Sequence, residues 1–316
     1  VLLAFAYPDR IAQRRQGADN RFVLSNGHGA VFGEAQPLAA ADTLVAANLD
    51  GKGEARIFLA AGIHREHLLE YHGELIREQS SVSWDQREQC VRARRQQRLG
   101  ELVLLDEAWQ DADPEAVQSA MLNGIRRQAP ACLPWSKAAR QLQARIGFLH
   151  RLVPHDWPDV SDARLTSSLD DWLSPYLHGM TRLTHLKRLD MHAVLLAQLP
   201  WVKQKQLDEL APTHLIIPSG TRACLDYSHE TPVLAVRLQE MFGLGDTPRV
   251  AGGRVAVLLH LLSPARRPVQ ITQDLGAFWR GSYHQVKKEL KGRYPKHNWP
   301  DDPLQALASA ATRRKR

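Results

Sequence analysis

The sequence has 316 residues, of which 44% are hydrophobic and 24% are charged, with 41 Lys and Arg against 34 Asp and Glu. This composition excludes a disordered or collagen-like chain, and the length predicts about two domains whose core needs no disulfide or metal. No apolar run reaches the ~18 residues of a membrane span, and the three separated cysteines favour a reducing compartment, so we expect a cytoplasmic protein without a membrane partner.

The first 110 residues are predicted to be β-rich. Apolar segments separated by turns predict five strands, with a short helix at His67–His72 before the last pair. The strand segments are Arg21–Val31, Asp42–Leu49, Ala55–Ala61, Val82–Gln97 and Leu99–Leu105, with a tight turn at Asp50–Gly53. Such a set is typical of an oligonucleotide-binding (OB) barrel, although periodicity alone does not separate a barrel from a sandwich.

The middle region, residues 111–205, is predicted to be a helical connector. Asp113 and Pro114 form a helix start signal. A second helix carries Leu142 and Ile146 on its apolar side, with Arg145 elsewhere. Two further helices are predicted, at Leu165–Leu177 and Leu183–Leu199.

Residues 206–303 are predicted to form a mixed α/β module that ends with a helix over Asp274–Lys291. Its strand segments are Leu215–Pro218, Arg222–Tyr227, Pro232–Val236, Val255–Leu262 and Pro268–Thr272. Residues 304–316, which end in Arg313-Arg314-Lys315-Arg316, are predicted to be a mobile basic tail. The predicted class is therefore α+β, with an OB-like five-stranded barrel, a helical middle, a C-terminal module and a tail.

The sequence has no recognisable catalytic motif. It lacks the glycine-rich phosphate loops, the paired-histidine zinc motif and the nucleophile elbow, so no catalytic residue is predicted and the chain alone is expected to be inactive. His64, His67 and His72 lie close together in sequence, but no cysteine is nearby and we predict no metal site.

Arginines on a predicted strand form the first candidate surface for nucleic acid. Alternation places Arg92 and Arg94 outward together, with Val91 and Ala93 facing the barrel interior, and Arg95 follows. Guanidinium groups on a barrel face suit a groove that follows a phosphate backbone. A solvated strand face, balanced by neighbouring acids, is the alternative interpretation.

The predicted last helix forms the second candidate surface. Residues 264–316 contain 12 Lys and Arg against 4 Asp and Glu. The cations that share a helix face at i, i+4, i+7 and i+11, together with the basic and aromatic residues beside them, are Arg280, His284, Lys287, Lys291, Lys288, Arg293 and Tyr294. This ridge predicts phosphate contacts, with aromatics able to stack on bases, and solubility is the alternative.

Long segments resemble HrpB-type bacterial ATP-dependent helicases of the DEAH-box group. The run DLGAFWRGSYHQVKKELKGRYPKHNWPDDP, Asp274–Pro303, is similar to the terminal signature of that family. LLAFAYPDRIAQRR at Leu2–Arg15 resembles the segment after the helicase core, and RFVLSNGHGAVF and LLSPARRPVQIT are also similar to family segments. The resemblance covers nearly the whole chain, and Asn298 departs from it where the family pattern has Pro.

The resemblance implies an ATP-driven helicase acting on single-stranded RNA or DNA. The phosphate loop, DEAH box and arginine finger, with ATP and Mg²⁺, would lie in motor domains upstream of Val1, where the chain starts without Met, so no catalytic residue is carried over. We expect an accessory C-terminal half that binds single-stranded nucleic acid, contacts the motor domains through the OB-like region and couples to them. The alternative is a protein-interaction module without nucleic-acid contact.

Overall fold

The structure is a computed structural model that describes residues 1–17, 20–51 and 53–310. The chain divides into two units, and the first contains Val1–Arg127 together with Leu177–His185. The second contains Gln128–Tyr176 and the residues from Leu186 onward. Lys52, in the predicted turn, and the basic end of the predicted tail, residues 311–316, lie outside the described residues.

Five short strands close into a barrel in the first unit, after a short helix α1 (Leu2–Ala6). The strands are β1 (Ile11–Arg14), β2 (Arg21–Leu24), β3 (Gly29–Phe32), β4 (Thr43–Leu49) and β5 (Ala55–Gly62). Their order is β1-β2-β3-β5-β4, with β3 and β5 parallel. Inward side chains such as Phe22, Phe32 and Leu44 fill the interior. The predicted five-stranded barrel and the α+β class are confirmed, and the assignment of the barrel to the OB type stays a prediction.

The strands of the barrel are not the predicted ones. The last predicted pair lies outside the barrel, in a separate antiparallel sheet of β6 (Ile76–Asp85), β7 (Cys90–Leu99) and β8 (Leu102–Ala108). The prediction missed β1 and merged β2 with β3, because strands of four residues are too short to show a clear alternation. The predicted short helix is present as α2 (Arg65–Tyr71), which follows the completed barrel.

The tight turn between β7 and β8 rests on the backbone of the barrel. Gly100 in this turn has a φ of +56°, and the next N–H, of Glu101, donates to the Ser25 carbonyl at 2.8 Å. A Cβ atom at Gly100 would lie 2.1 Å from the same carbonyl oxygen. One buried cluster continues from the barrel into the sheet through Ile11, Val45, Leu68, Leu99 and Leu102.

Gly100→Ala is expected to destabilise the chain by at least about 2 kcal/mol, because it combines an unfavourable positive φ with a backbone overlap. Gly51→Ala is the matched control, since Gly51 has a φ of +71° and open space around its Cα, and it should cost only about 1 kcal/mol. Urea unfolding of both variants measures the difference. Equal losses would show that the contact with Ser25 is unimportant.

The predicted start of the first long helix is confirmed. Helix α3 (Pro114–Arg126) begins after Asp113, whose carboxylate accepts the backbone N–H of Glu115 at 3.2 Å. Its buried side includes Met121 and Ile125.

The second unit combines helices with a mixed sheet. Its helices are α4 (Lys137–Leu152), α5 (Asp162–Ser167), α6 (Leu169–Trp172), α7 (Met191–Ala197), α8 (Trp201–Leu210), α9 (Leu275–Arg280) and α10 (Tyr283–Arg293). Its strands are β9 (His214–Ile216), β10 (Arg222–Asp226), β11 (Val233–Arg237), β12 (Arg249–Val250), β13 (Val255–Ala256), β14 (Leu258–Leu262) and β15 (Pro268–Thr272). The main sheet has the order β15-β14-β11-β10-β9, in which β11 and β14 are parallel, while β12 pairs with β13.

Three helices predicted for the middle region and the C-terminal module are interrupted. The helix predicted over Asp274–Lys291 breaks between α9 and α10, at Gly281. The segment predicted as Leu165–Leu177 is divided between α5 and α6. Within Leu183–Leu199, a new helix starts at α7 because the Asp190 carboxylate accepts the N–H groups of His192 and Ala193.

Arg145 on α4 is buried, although the sequence pattern placed it off the apolar side. Its Nε donates to the carbonyl of Ala211 at 2.6 Å and its Nη2 to the carbonyl of Leu207 at 3.3 Å. The same Nη2 lies 2.6 Å from the carboxylate of Asp208. The Leu207 carbonyl also accepts the N–H of Ala211, so the contact that Arg145 alone supplies is to the buried carbonyl of Ala211, just after the end of α8.

Arg145→Met should lower the free energy of unfolding by about 2–3 kcal/mol, because it leaves the buried carbonyl of Ala211 without the Arg145 donor and removes the contact with Asp208. Arg151→Met, on an exposed position of the same helix, should change it by less than about 0.5 kcal/mol. Chemical denaturation compares the two. Similar values would contradict the capping role.

Candidate nucleic-acid interface

Pairing between β6 and β7 places four arginines on one face of the three-stranded sheet. Arg77 lies opposite Arg98, and Arg92 and Arg94 lie opposite Ser83 and Ser81. Because residues two apart on a strand point to the same side about 7 Å apart, these side chains form a row. We call the surface formed by Arg77, Arg92, Arg94 and Arg98 the arginine face.

The other face of the sheet lies against α3. On this side Trp84 packs against Gly124 of α3, so closely that a Cβ atom at Gly124 would lie 2.2 Å from the indole. The expectation that Val91 and Ala93 face a barrel interior is therefore wrong, since they share the side of Trp84. Arg95 is exposed and also belongs to this side, so the structure separates it from Arg92 and Arg94.

Carboxylates contact Arg92 and Arg94 at the centre of the arginine face without covering it. Asp85 lies 2.5 Å from Nε of Arg92, and Asp106 lies 2.8 Å from Nε of Arg94. The two arginine side chains remain 48% and 37% exposed. Each carboxylate bonds the Nε edge of its guanidinium, which leaves the Nη groups for a second acceptor. The hydrogen bond from Arg94 holds the pKa of Asp106 below its usual range. The pKa of Asp85 is lowered first by the backbone N–H of Glu88, then by the backbone N–H of Arg87 and by the Arg92 side chain.

The row of arginines ends at one side in a cleft beside the barrel. This cleft of about 760 Å³ is lined by Arg77, Gln79, Arg98 and the barrel residue Asn26. Arg98 also contacts the Glu101 carboxylate at 3.3 Å. The sequence analysis missed Arg77. Its position opposite Arg98 depends on the register between β6 and β7, which the sequence pattern does not give.

The second predicted basic surface is only partly assembled. The prediction that Arg280 shares a helix face with Lys287 and Lys291 is wrong, because the helix breaks at Gly281. Lys287 is mostly buried and hydrogen-bonded to Asp301, and this contact lowers the pKa of the Asp301 carboxyl. The cations on α10 that remain exposed are Lys288, Lys291 and Arg293.

Aromatic residues near the end of the second unit have structural contacts. Trp299 is buried and donates its indole N–H to the carbonyl of Tyr294 at 2.9 Å. The Tyr294 ring is half-buried and packs on His297. Beyond them, residues 304–310 belong to the second unit, and Ser309 N–H donates to the carbonyl of Gln239 at 3.1 Å.

The three neighbouring histidines of the first unit do not converge. The rings of His64 and His67 meet edge to face with 5.8 Å between their centroids, whereas His72 is buried against Phe5. Burial lowers the pKa of His72, which disfavours its charged form. Across residues 1–17, 20–51 and 53–310, no three His, Cys, Asp or Glu side chains are grouped to hold a metal ion.

Two segments of the chain match families of known proteins. Residues 172–303 match a family model described as "ATP-dependent helicase C-terminal", and residues 75–109, which include the arginine face, match "ATP-dependent RNA helicase HrpB, connector region". These matches define an accessory region of an ATP-dependent helicase. Within the ranges that the structure describes, every helix is too short or too polar to span a bilayer.

The relatives identify the particular family. The ATP-dependent RNA helicase HrpB of Escherichia coli (strain K12) is 40% identical over 318 residues, an alignment that covers 99% of this chain and 39% of the relative. The crystal structure of the E. coli DExH-box NTPase HrpB matches with a TM-score of 0.62 and 40% identity, covering 98% of this chain and 39% of that one. A second structure, of the Escherichia coli DEAH/RHA helicase HrpB, has a TM-score of 0.54 and 38% identity, with coverage of 94% and 38%. The chain corresponds to the C-terminal part of HrpB-type helicases and spans about two fifths of the length of these relatives.

Arg94→Gln is expected to raise the pKa of Asp106 toward 3.8, its ordinary value, because the Arg94 hydrogen bond is the main influence that lowers it. The folded chain has the lower pKa, so the pair stabilises it at neutral pH, and this contribution is lost as the pH falls through the folded-state pKa. Carbon-13 NMR titration of the carboxyl groups measures the change. Asp301 is the control, since its pKa depends on Lys287 and should not move.

Proposed function

We propose that this chain is the accessory C-terminal part of an ATP-dependent helicase and binds single-stranded nucleic acid through the arginine face. The relatives that are named RNA helicases favour RNA over DNA as the ligand. The observation that carries the proposal is the alignment of Arg77, Arg92, Arg94 and Arg98 on one open sheet face. The match of residues 75–109 to a connector region agrees with a position of the arginine face between a nucleic-acid strand and the motor domains.

The chemistry of the arginine face favours a phosphate backbone over bases. From Arg92 to Arg98 the row extends about 20 Å along one strand, which suits a single extended backbone. The other side chains that β6 and β7 place on this face within the described residues are Ser, Gln, Asp and Cys, with no aromatic ring to stack on a base. Binding should therefore be nearly independent of sequence and strongly dependent on salt.

The α10 cations support a second contact. Lys288, Lys291 and Arg293 are exposed, and Lys288 and Lys291 lie three residues apart on one helix. We include these residues, together with Arg280 and Tyr294, as secondary nucleic-acid contacts. Arg95 lies on the other side of the sheet and would reach a bound nucleic-acid strand only at the sheet edge.

Coupling to a motor completes the proposal. ATP and Mg²⁺ would be bound by the motor domains of the parent protein, since this sequence has no phosphate-binding loop. Leu2 and Phe5 expose an apolar side of α1 that could contact those domains. No disulfide joins any of the three cysteines, in agreement with a cytoplasmic location.

A protein-interaction role is the second candidate, and one observation favours it. Trp201 and Val202 at the start of α8 are 69% and 64% exposed, an unusual exposure for large apolar side chains. A partner protein bound there would be retained at high salt. Retention of such a partner without any binding of oligonucleotides would favour this role over the first.

Arg92→Glu combined with Arg94→Glu should weaken binding of single-stranded oligonucleotides more than about tenfold at low salt. Two lost phosphate contacts should also reduce the slope of log K against log salt by about 1.4. Fluorescence anisotropy over a salt series measures both quantities, for uridine-rich and adenosine-rich strands, and the loss should be similar for the two.

Lys137→Glu combined with Arg164→Glu is the control, with the same charge change at exposed positions of the second unit. It should reduce affinity only slightly. If the two double variants behave alike, only net charge matters and the arginine face is not the binding surface.

A further inference from the structure

A distant segment of the chain adds a fifth arginine beside the arginine face. Leu177–His185 lies in the first unit and pairs with the start of β7. The N–H of Val91 donates to the carbonyl of Thr181 at 2.7 Å, and the N–H of Leu183 donates to the carbonyl of Gln89 at 3.1 Å. These bonds place Arg182 directly opposite Cys90 in an antiparallel bridge.

Arg182 therefore shares a side of the sheet with Arg92 and Arg94. Directly opposed residues of an antiparallel pair project to the same side, and Cys90, Arg92 and Arg94 are two residues apart along β7. The three arginines line a groove of about 280 Å³. Glu88, Cys90 and Ala108 also line it.

The three guanidinium groups in the groove can donate hydrogen bonds to the same ligand. Asp85 and Asp106 bond Arg92 and Arg94 through Nε and so orient the two planes, leaving their Nη groups for another acceptor. Arg182 is exposed and is not part of any ion pair in the described chain. Guanidinium groups match the oxygens of a phosphate in pairs, and several together favour a tetrahedral oxyanion over a single carboxylate.

We propose that this groove is a phosphate-binding subsite completed by Arg182. The inference rests on the proposed function, because the phosphate would come from the bound strand. Two sources share this chemistry: a phosphodiester within the strand, and a phosphate monoester at its end, which carries more charge and one more free oxygen. Because Leu177–His185 holds Arg182 in place, the subsite depends on docking of that segment on β7.

The test compares the 316-residue chain with Arg182→Gln, Arg182→Lys and, as matched control, Arg15→Gln at an exposed position of the barrel. Binding of uridine oligonucleotides of about 12 nucleotides with either a 5′-hydroxyl or a 5′-phosphate is measured over a salt series. Arg182→Gln should weaken binding about tenfold and reduce the salt slope by about 0.7, the value for one phosphate contact. Arg182→Lys should keep the slope, and Arg15→Gln should resemble the wild type.

The two arms distinguish the phosphate sources. A wild-type preference for the 5′-phosphate that Arg182→Gln abolishes assigns the groove to a terminal monoester. Equal binding of both strands, with the same loss in Arg182→Gln, assigns it to an internal phosphodiester. Circular dichroism melting shows that the variants are folded.

Two results overturn the inference. If Arg182→Gln binds as tightly as the wild type while Arg92→Glu with Arg94→Glu does not, the subsite is wrong and the arginine face stands. If the wild type binds neither strand at low salt, the proposed function and the subsite fail together.

Discussion

The uninterrupted pairing of β6 with β7 is the constraint on which the candidate interface depends. It runs from Ile76 opposite Leu99 to Asp85 opposite Cys90 without a bulge. Because side chains alternate along a strand, a slip of β6 by one residue would turn Arg77 toward α3 and Trp84 toward the side of the other arginines. The close fit of Trp84 on Gly124 opposes that slip, so apolar packing on one side of the sheet determines the charge on the other.

The distribution of charge matters more here than its total. Residues 1–128 contain 15 Lys and Arg against 18 Asp and Glu, yet this region carries the arginine face. Exposed ion pairs such as Arg94 with Asp106 contribute little to stability, and their clearer effect is to fix the plane of each guanidinium. A preordered donor loses less conformational entropy when an anion binds.

Local sequence patterns predicted several parts of the structure and failed where the deciding contacts are distant. The hairpin turns and the cap at Asp113 depend on neighbouring residues, and a closed barrel and the helix start were found. Strand membership of the barrel depends on long-range pairing, and four-residue strands such as β1 carry too little pattern to reveal it.

The candidate site shows the same division. Alternation alone put Arg92 and Arg94 on one side, which the structure confirms, and would have put Arg95 on the other. Arg182 could not have been found, because nothing near it in sequence signals that it pairs with Cys90. The break at Gly281 was missed because apolar residues on both sides keep a helical spacing, and Arg145 was misplaced because its carbonyl partners lie more than sixty residues away.

The membership of Leu177–His185 in the first unit has a consequence for how this region can evolve. The backbone passes between the units three times, after Arg127, after Tyr176 and after His185. Neither unit is a continuous stretch of sequence, so recombination at one junction cannot exchange the second unit as a cassette. An exchange of either unit would have to carry both of its segments at once.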